Sequence, residues 1–482
     1  MDPRTPVIVG AAQLNGSGDE NEPVAMMAEV SGRAVPAGLT LDQIRVVKGV
    51  WPYSDPGTRV AEKIGQTPST TGITQLGGNE AYDLLNQTAL DIQMGGFDAV
   101  LICAAETMRT RRRDRRAGKR SAYLDEADGA IPDFEYGDDV EFWDDADWTA
   151  WGVEAANFYA MAASAVRHRL GLSPEDYLTQ TAELWAIGSA VAADNPNASI
   201  RTAVSADEIA TVSATNRMIA DPFPKLMTSN INVDQAAAVV LCTAEAARAA
   251  GTDPGSWVFP LAGTGSHDAW VARSRDSFAL SPSMRITGRL ALELAGVQLE
   301  QVTNLDLYSC FPSAVQTAQH ELGVDPATPF TLTGGMTFAG GPFNSYGMHA
   351  IAQAVHCLRD QPGSALLTGN GGWFTKHAFC VLGSEPPLDR FRYERPQALV
   401  DGEPVRPLMT APPDSATIDA YTVTYTADGE QERAIMAVSD ATGARSWATT
   451  TDPDTMTALV AADCVSMPVS TRGEPPVLQA RL

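Results

Sequence analysis

The sequence predicts an α/β fold of two similar halves, followed by a small antiparallel β-barrel. Short apolar segments alternate with stretches of helical periodicity through residue 390, which is typical of βαβ units around a buried sheet. From residue 391 onward, apolar and polar residues alternate between glycine turns, as they do in β-hairpins. The chain has 482 residues, which is more than one ordinary core contains. We therefore predict domains at 1–255, with an insertion at about 109–215, and at 256–390 and 391–482.

The first half begins with PVIVGAAQL (6–14), a β-branched apolar run that predicts a buried strand. A second short strand in GITQLGG (72–78) ends at paired glycines, and helical spacing follows through residue 96. The fully apolar FDAVLICAAE (97–106) predicts the next strand and completes a βαβ unit. A strand and helix within 231–251 close this half.

The second half repeats this character without a clear sequence repeat. Its predicted strands are at 305–310, 364–369 and 377–383, and its predicted helices are at 311–323 and 349–359. In the tail, the alternating segment 417–451 has turn signals at Asp428-Gly429 and Thr442-Gly443. These turns predict the hairpins of the barrel.

Charge and composition exclude several classes of protein. A net charge of −25 repels phosphate backbones and anionic lipid surfaces, so neither nucleic acid nor a membrane is expected as a partner. No apolar run approaches the length of a spanning helix, and the first residues lack the order of a signal peptide. Six scattered cysteines without a CxxC pair indicate reduced thiols and no metal site. We expect a cytoplasmic protein.

One block of the first half consists of a basic segment followed directly by an acidic one. Residues 109–120 contain eight basic side chains, and residues 121–150 contain eleven acidic and no basic ones. One interpretation is a solvated insertion whose charges partly pair. The other makes the arginines, with Arg112 and Arg113 as candidates, a clamp for a phosphorylated cofactor.

Several segments together resemble the sterol-carrier-protein-type thiolase-like branch of the thiolase superfamily. They are PVIVGAAQL, GGFDAVLICAAETM, NINVDQAAAVVL, LDLYSCF, TGGMTFAGGP and GNGGWFTKHAF, in the family's order over 6–386. The resemblance implies two βαβαβαββ halves packed face to face, a loop-domain insertion, and coenzyme A thioesters as substrates or ligands without a tightly bound cofactor. It assigns coenzyme A binding to Arg112, Arg113, Gly341 and Gly371.

The residues that perform thiolase chemistry are absent from the matching motifs. The family's acylated cysteine falls at Gly78, give or take one residue, and no neighbour is Cys or Ser. The histidine of its Gly-His-Pro loop is Gly341, and its Cys-x-Gly loop is Gly369-Asn370-Gly371. Its Asn-Glu or His-Asp motif reads Tyr308-Ser309 here. We therefore expect no ordinary acetyl-CoA acetyltransferase activity.

Two tyrosines, Tyr308 and Tyr346, stand in loops that converge on one pocket in the family. This arrangement resembles the thiolase-like retro-aldolases of steroid side-chain degradation, which lack the cysteine and work with an OB-fold subunit. The tail of this chain resembles such an OB-like module fused in cis, which implies lipid metabolism. A phenol acts as acid, base or oxyanion donor, although buried tyrosines are also often only structural.

Two histidines and one cysteine are further candidates. His377 follows the altered Cys-x-Gly loop and would carry a proton near pH 7, and His349 lies one helical turn after Tyr346. For both, a structural role is the alternative. Cys310 has apolar neighbours, which favours an inert thiol.

These observations leave three hypotheses. The first is retro-aldol cleavage of a β-hydroxyacyl-CoA with Tyr308 and Tyr346 as the acid/base pair. The second is a non-catalytic acyl-CoA-binding or scaffold protein, and the third is residual acyltransfer. We expect a monomer or a homodimer, because the family dimerises through the first-half sheet while the tail and altered loops would block that surface.

Overall fold

The computed structural model describes residues 1–18, 21–152, 154–471 and 477–478. The helices are α1 (Pro23–Ala34), α2 (Pro56–Ile64), α3 (Glu80–Gln93), α4 (Met108–Arg116), α5 (Asp145–Trp151), α6 (Ala155–Leu170), α7 (Pro174–Asp194), α8 (Ala206–Ala210), α9 (Ala244–Ala249), α10 (Pro282–Ala295), α11 (Pro312–Leu322), α12 (Gly335–Phe338), α13 (Tyr346–Asp360), α14 (Gln397–Val400) and α15 (Pro453–Ala461). The strands are β1 (Pro6–Asn15), β2 (Gln43–Val46), β3 (Thr70–Thr74), β4 (Ala99–Thr107), β5 (Phe134–Tyr136), β6 (Met218–Ala220), β7 (Phe223–Pro224), β8 (Asp234–Thr243), β9 (Phe259–His267), β10 (Asn304–Asp306), β11 (Ser364–Gly371), β12 (Lys376–Gly383), β13 (Arg392–Glu394), β14 (Ser415–Tyr425), β15 (Gln431–Ser439), β16 (Arg445–Thr450), β17 (Pro468–Ser470) and β18 (Val477–Leu478).

The first sheet has the strand order β1-β8-β4-β2-β3-β5. Strands β3 and β4 both run parallel to β2, which lies between them, and α3 connects them as predicted. Strand β5 lies inside the predicted insertion and pairs in parallel with β3. The insertion therefore supplies the outermost strand of this sheet.

The second sheet has the order β10-β11-β12-β9-β13. Helices α3 and α13 pack against strands of both sheets and against each other, so the two halves meet across a shared helical layer. The predicted strand 305–310 is shorter in the structure and ends at Asp306. The reason is that the Tyr308 N–H donates to the side-chain hydroxyl of Thr368 in β11 rather than to a backbone carbonyl of that strand. Tyr308 to Cys310 are therefore a loop that leads into α11.

The third sheet is antiparallel and has the order β16-β15-β14-β17-β18, with β6 also paired to β14. Its two hairpin turns contain Gly429 and Gly443 at φ 90° and 84°, backbone conformations that favour glycine, as the turn signals predicted. Among the described residues the strands do not close into a barrel, because β16 and β18 form the two ends. The OB-like character of the tail therefore stays a prediction.

The third sheet packs firmly on the rest of the chain. Trp447 Nε1 donates to Asp147 Oδ1 at 2.8 Å, and its ring lies 4.3 Å from that of Trp151. Arg445 is buried, pairs with Asp419 at 2.7 Å and donates to the Asp276 carbonyl. Strand β6, which belongs to the predicted first domain, also pairs with β14 of this sheet. The domain boundaries remain predictions. None of the helices within the described ranges is long and apolar enough to cross a membrane.

Candidate active site

Three of the predicted site loops meet at the N-terminal end of α3. A Cβ atom at Gly78 would lie 2.1 Å from the hydroxyl oxygen of Tyr308 and 2.4 Å from the carbonyl oxygen of Asn370. A Cβ atom at Gly369 would lie 2.9 Å from Asn79 Cα. Glycine is thus required at both positions by close packing. The place where a side chain at residue 78 would stand is occupied by the phenol of Tyr308.

The fourth loop, which contains Gly341, joins this cluster through Ser229. The Gly341 N–H donates to the Asn230 carbonyl at 2.9 Å, and Ser229 Oγ donates to the Cys310 carbonyl at 2.7 Å. A Cβ atom at Gly341 would lie 3.2 Å from Ser229 Cβ. The loop therefore contributes backbone and no proton-transferring side chain.

Tyr308 is 7% exposed, and its hydroxyl makes no hydrogen bond to any residue that the structure describes. Its ring meets that of Tyr346 edge-on, with 5.5 Å between the ring centroids. Burial raises the pKa of Tyr308 well above its ordinary value. The phenol is therefore neutral and available as a hydrogen-bond donor.

Tyr346 is 1% exposed and its hydroxyl is held by several partners. It lies 2.9 Å from Thr333 Oγ1 and 3.3 Å from Asp306 Oδ1. Burial raises the pKa of Asp306 to about 7, although the N–H of Leu332 donates to its carboxyl group. Tyr346 is thus hydrogen-bonded to a carboxyl group that titrates near neutrality, while burial raises the pKa of Tyr346 itself well above its ordinary value. Sequence analysis missed Asp306; an acidic residue in an apolar strand two positions before Tyr308 was the available signal.

The predicted histidines lie apart from the tyrosine pair. His377 Nε2 is 3.2 Å from Ser281 Oγ and 3.4 Å from Asp268 Oδ2, and its ring packs on Phe374. His349 Nδ1 is 3.1 Å from Gln13 Oε1, and burial lowers the pKa of His349 to about 4. His349 is therefore neutral at pH 7. Neither imidazole has a hydrogen bond to Tyr308 or Tyr346 within the described part of the chain.

Cys310 is the thiol at this site. It is buried, its sulfur lies 3.6 Å from Asn370 Nδ2, and burial raises its pKa to about 12. At neutral pH the group is a neutral thiol rather than a nucleophilic thiolate. No group of three or more His, Cys, Asp and Glu within the described ranges is placed to hold a metal ion.

A second cluster, which the sequence did not predict, lies on the other side of the α3 N-terminus. The Lys376 ammonium is 2.8 Å from Glu80 Oε1 and donates to the Leu76 carbonyl, while Asn79 Nδ2 donates to Asp83 Oδ2 at 2.9 Å. Burial raises the pKa of Glu80 to about 7 despite the nearby ammonium. We call Glu80, Asp83 and Lys376, with the more distant Arg395, the charged cluster. It borders a cavity of about 220 Å³.

The predicted coenzyme A residues occupy two places. Gly341 and Gly371 lie near Tyr308 and Tyr346, which with Asp306 we call the tyrosine site. Arg112 and Arg113 line a separate cavity of about 290 Å³, the arginine cavity. The other residues lining that cavity are Ser17, Arg109, Thr110, Arg116 and Asn232. Arg109 is paired with Asp234 and Arg113 with Asp114, each at 3.1 Å, and no carboxylate is among the described residues that line the cavity. Four guanidinium groups make this cavity suited to phosphate.

Comparison with known proteins agrees with this fold. Residues 396–472 match the family model described as the thiolase-like protein type 1 additional C-terminal domain. The crystal structure of a monomeric SCP2-thiolase like protein type 1 from Mycobacterium smegmatis is 29% identical, with a TM-score of 0.83 over 99% of this chain and 100% of that chain. No match was found among the curated proteins searched.

Two further structures share the fold at lower identity. An Ltp2-ChsH2(DUF35) aldolase is 19% identical, with a TM-score of 0.57 over 79% of this chain and 98% of that chain. The dimeric peroxisomal thiolase of Saccharomyces cerevisiae is 13% identical, with a TM-score of 0.57 over 80% of this chain and 98% of that chain. The two α/β halves and the convergent loops define a protein of the thiolase fold class. The chain has the thiolase fold with an additional C-terminal domain, and it is similar along its length to an SCP2-thiolase like protein type 1.

Proposed function

We propose that this protein binds a β-hydroxyacyl-CoA and cleaves its carbon–carbon bond by a retro-aldol reaction without a covalent intermediate. The observation that carries the proposal is the position of the Tyr308 hydroxyl, at the place where a side chain at residue 78 would stand. That hydroxyl has no hydrogen-bond partner among the described residues, so it is free to donate to a substrate oxygen. The thiol of Cys310 is protonated and does not compete as a nucleophile.

The tyrosine site has one group for each task of the reaction. Tyr346 takes the proton of the β-hydroxyl and passes its own phenolic proton to the carboxylate of Asp306. The electrons of the O–H bond form the new carbonyl, and those of the broken carbon–carbon bond form the enolate of the shorter thioester. Tyr308 donates a hydrogen bond to that enolate oxygen. The proton on Asp306 then returns through Tyr346 to the α-carbon, so the site ends as it began.

The arginine cavity supports the binding half of the proposal. Coenzyme A carries several phosphate groups, and the side chains of Arg112 and Arg113 line a cavity without carboxylates in a chain of net charge −25. The thiolase fold is also compatible with the reaction, since the Ltp2-ChsH2(DUF35) structure of the same fold is described as an aldolase. The free cysteines fit the predicted cytoplasmic location.

A second candidate function is acyl-CoA binding without catalysis. The specific observation in its favour is the close packing at Gly78, where the Tyr308 phenol fills the space beside the helix. Tyr346 is also fully enclosed. In this function the protein binds acyl-CoA and catalyses no reaction.

The test is release of a carbonyl product from a panel of β-hydroxyacyl-CoA thioesters, followed by mass spectrometry, with coenzyme A affinity measured by calorimetry. We expect Tyr308→Phe and Tyr346→Phe to lose turnover while coenzyme A affinity is unchanged. Tyr425→Phe, in the third sheet, is the matched control and keeps turnover. Wild-type protein that binds coenzyme A and releases no product from any thioester would support the second function instead.

A further inference from the structure

A cavity outside the sites described above lies at the C-terminal end of α11, the opposite end from Tyr308. It has a volume of about 730 Å³ and lies between the C-terminal end of α6, the middle of α7 and the turn after α11. Cavities of this volume are typical of sites for single small molecules. None of the residues assigned to the tyrosine site or the arginine cavity lines it.

The walls of this cavity are mainly apolar. Helix α7 supplies two aliphatic side chains, α6 supplies one, and the segment after α11 supplies the rest: Leu170, Leu184, Ile187, Val324, Pro326 and Ala327. Leu184 and Val324 are buried, while Pro326 and Ala327 form the exposed rim. A ligand with an apolar body would remove this surface from water.

One cationic group, Arg169, lies in the wall without a direct ion pair, although the charge of Glu321 acts on it. The guanidinium of Arg169 makes no hydrogen bond or ion pair with any residue that the structure describes, and burial lowers its pKa. The nearby carboxyl of Glu321 accepts from the Ser281 N–H. A partly buried, unpaired guanidinium is costly unless an anion approaches it.

A neutral donor accompanies Arg169. Gln319 is 4% exposed, and its amide nitrogen Nε2 has no hydrogen-bond partner among the described residues. The carboxylates that line the cavity, Glu183 and Asp325, are both exposed, and Asp325 accepts from the Ala327 N–H at 2.9 Å. Arg169 is thus half-buried in the wall, and the acidic groups that line the cavity lie at the rim.

We propose that this cavity binds an amphipathic carboxylate, a small molecule with one anionic head and an apolar body. The head accepts hydrogen bonds from the guanidinium of Arg169, and the body packs on Leu184, Ile187 and Val324. The site is independent of the proposed reaction, since none of its residues belongs to the tyrosine site. Bidentate pairing of a carboxylate with a guanidinium provides the selectivity for the head.

The test uses the full chain and three probes in calorimetry below the aggregation limit of each probe: dodecanoate, dodecanol and acetate. We expect dodecanoate to bind at least about tenfold more tightly than the other two, since one lacks the charge and the other the apolar body. Arg169→Met keeps the apolar stem and is expected to weaken dodecanoate binding about tenfold or more. Arg201→Met, which changes an exposed arginine elsewhere, is the matched control and binds as wild type.

A second variant separates loss of the site from loss of the fold. Ala327→Trp adds a large side chain at the exposed rim and is expected to abolish dodecanoate binding without changing the melting temperature. Equal affinity for dodecanoate and dodecanol, or unchanged affinity in Arg169→Met, would overturn the proposal. No binding of any probe by correctly folded protein would overturn it as well. Coenzyme A affinity, measured in the same samples, reports on the proposed function separately.

Discussion

The two sides of the α3 N-terminus are built from different chemistry. On one side, Tyr308 and Tyr346 form a site of neutral hydroxyls around Asp306, whose carboxyl group titrates near neutrality. On the other side, the charged cluster contains a direct ion pair between Glu80 and Lys376. A helix N-terminus stabilises anions, and here Glu80 and Asp83 occupy its first turn. The field of this helix N-terminus therefore acts on the carboxyl groups of Glu80 and Asp83.

The largest expected effect lies in the charged cluster. Lys376→Met leaves Glu80 buried without its ammonium partner and is expected to lower the free energy of unfolding by about 3–5 kcal/mol at pH 7. Urea denaturation measures the change. The double variant Glu80→Gln with Lys376→Met should recover part of the loss. A cost below about 1 kcal/mol would mean that the ion pair contributes little to the difference between the two sides.

The pH dependence of the free energy of unfolding reports on one buried carboxyl group from each side of the α3 N-terminus. The pKa of Asp306 and that of Glu80 are both raised by burial to about 7, so the folded protein binds these protons more tightly than the unfolded chain does. Their stabilising contribution to the free energy of unfolding is therefore present at acidic pH and is lost as the pH rises from about 4 to 7. Asp306→Asn removes one contribution and should flatten this slope. Denaturation at a series of pH values checks it, and an unchanged slope would contradict the assignment.

Close packing at Gly78 predicts a loss of intermediate size. Gly78→Ala places a methyl group against the Tyr308 hydroxyl and is expected to cost about 1–3 kcal/mol. Gly32→Ala is the matched control, because no atom lies within 4 Å of a Cβ there, and in α1 it should stabilise by about 0.5–1 kcal/mol. Gly78→Cys should not gain thiolase activity, since Glu80 and Asp83 disfavour a thiolate. Alkylation with iodoacetamide would reveal a reactive thiol if that expectation is wrong.

The smallest effect separates the two tyrosines. Tyr346→Phe removes the hydroxyl that contacts Thr333 and Asp306, and is expected to cost about 0.5–1.5 kcal/mol. Tyr308→Phe removes a hydroxyl that has no such partner and should stay within about 0.5 kcal/mol of wild type. Thermal denaturation of both variants decides the order. The reverse order would show that Tyr308 is a structural residue and Tyr346 is not.

Sequence analysis predicted most of the fold, because its signals were local. The apolar runs that became β1, β4, β8 and β12 are continuous, and the glycine turns of the third sheet have the backbone angles that glycine favours. Strand 305–310 was predicted too long. The apolar residues continue past Asp306, but the chain leaves the sheet there. The Tyr308 N–H donates to the side-chain hydroxyl of Thr368 instead of to a backbone carbonyl. Such a long-range contact leaves no local pattern.

The candidate site was predicted only in part for the same reason. Tyr308 and Tyr346 lie together as expected, whereas His349 and His377 are held by Gln13 and Ser281, partners that are distant in sequence. The Glu80–Lys376 pair joins residues from the two halves of the chain, 296 positions apart. Pairings of this kind depend on how α3 packs on the second sheet, which no periodicity encodes.

Strand β5 has a consequence for assembly. The family to which the resemblance points dimerises through the first-half sheet, yet here β3 is already paired along its outer side by Phe134–Tyr136. The backbone groups that another copy would use for strand addition are satisfied within the same chain. We therefore expect a melting temperature that is independent of protein concentration, as it is for a monomer.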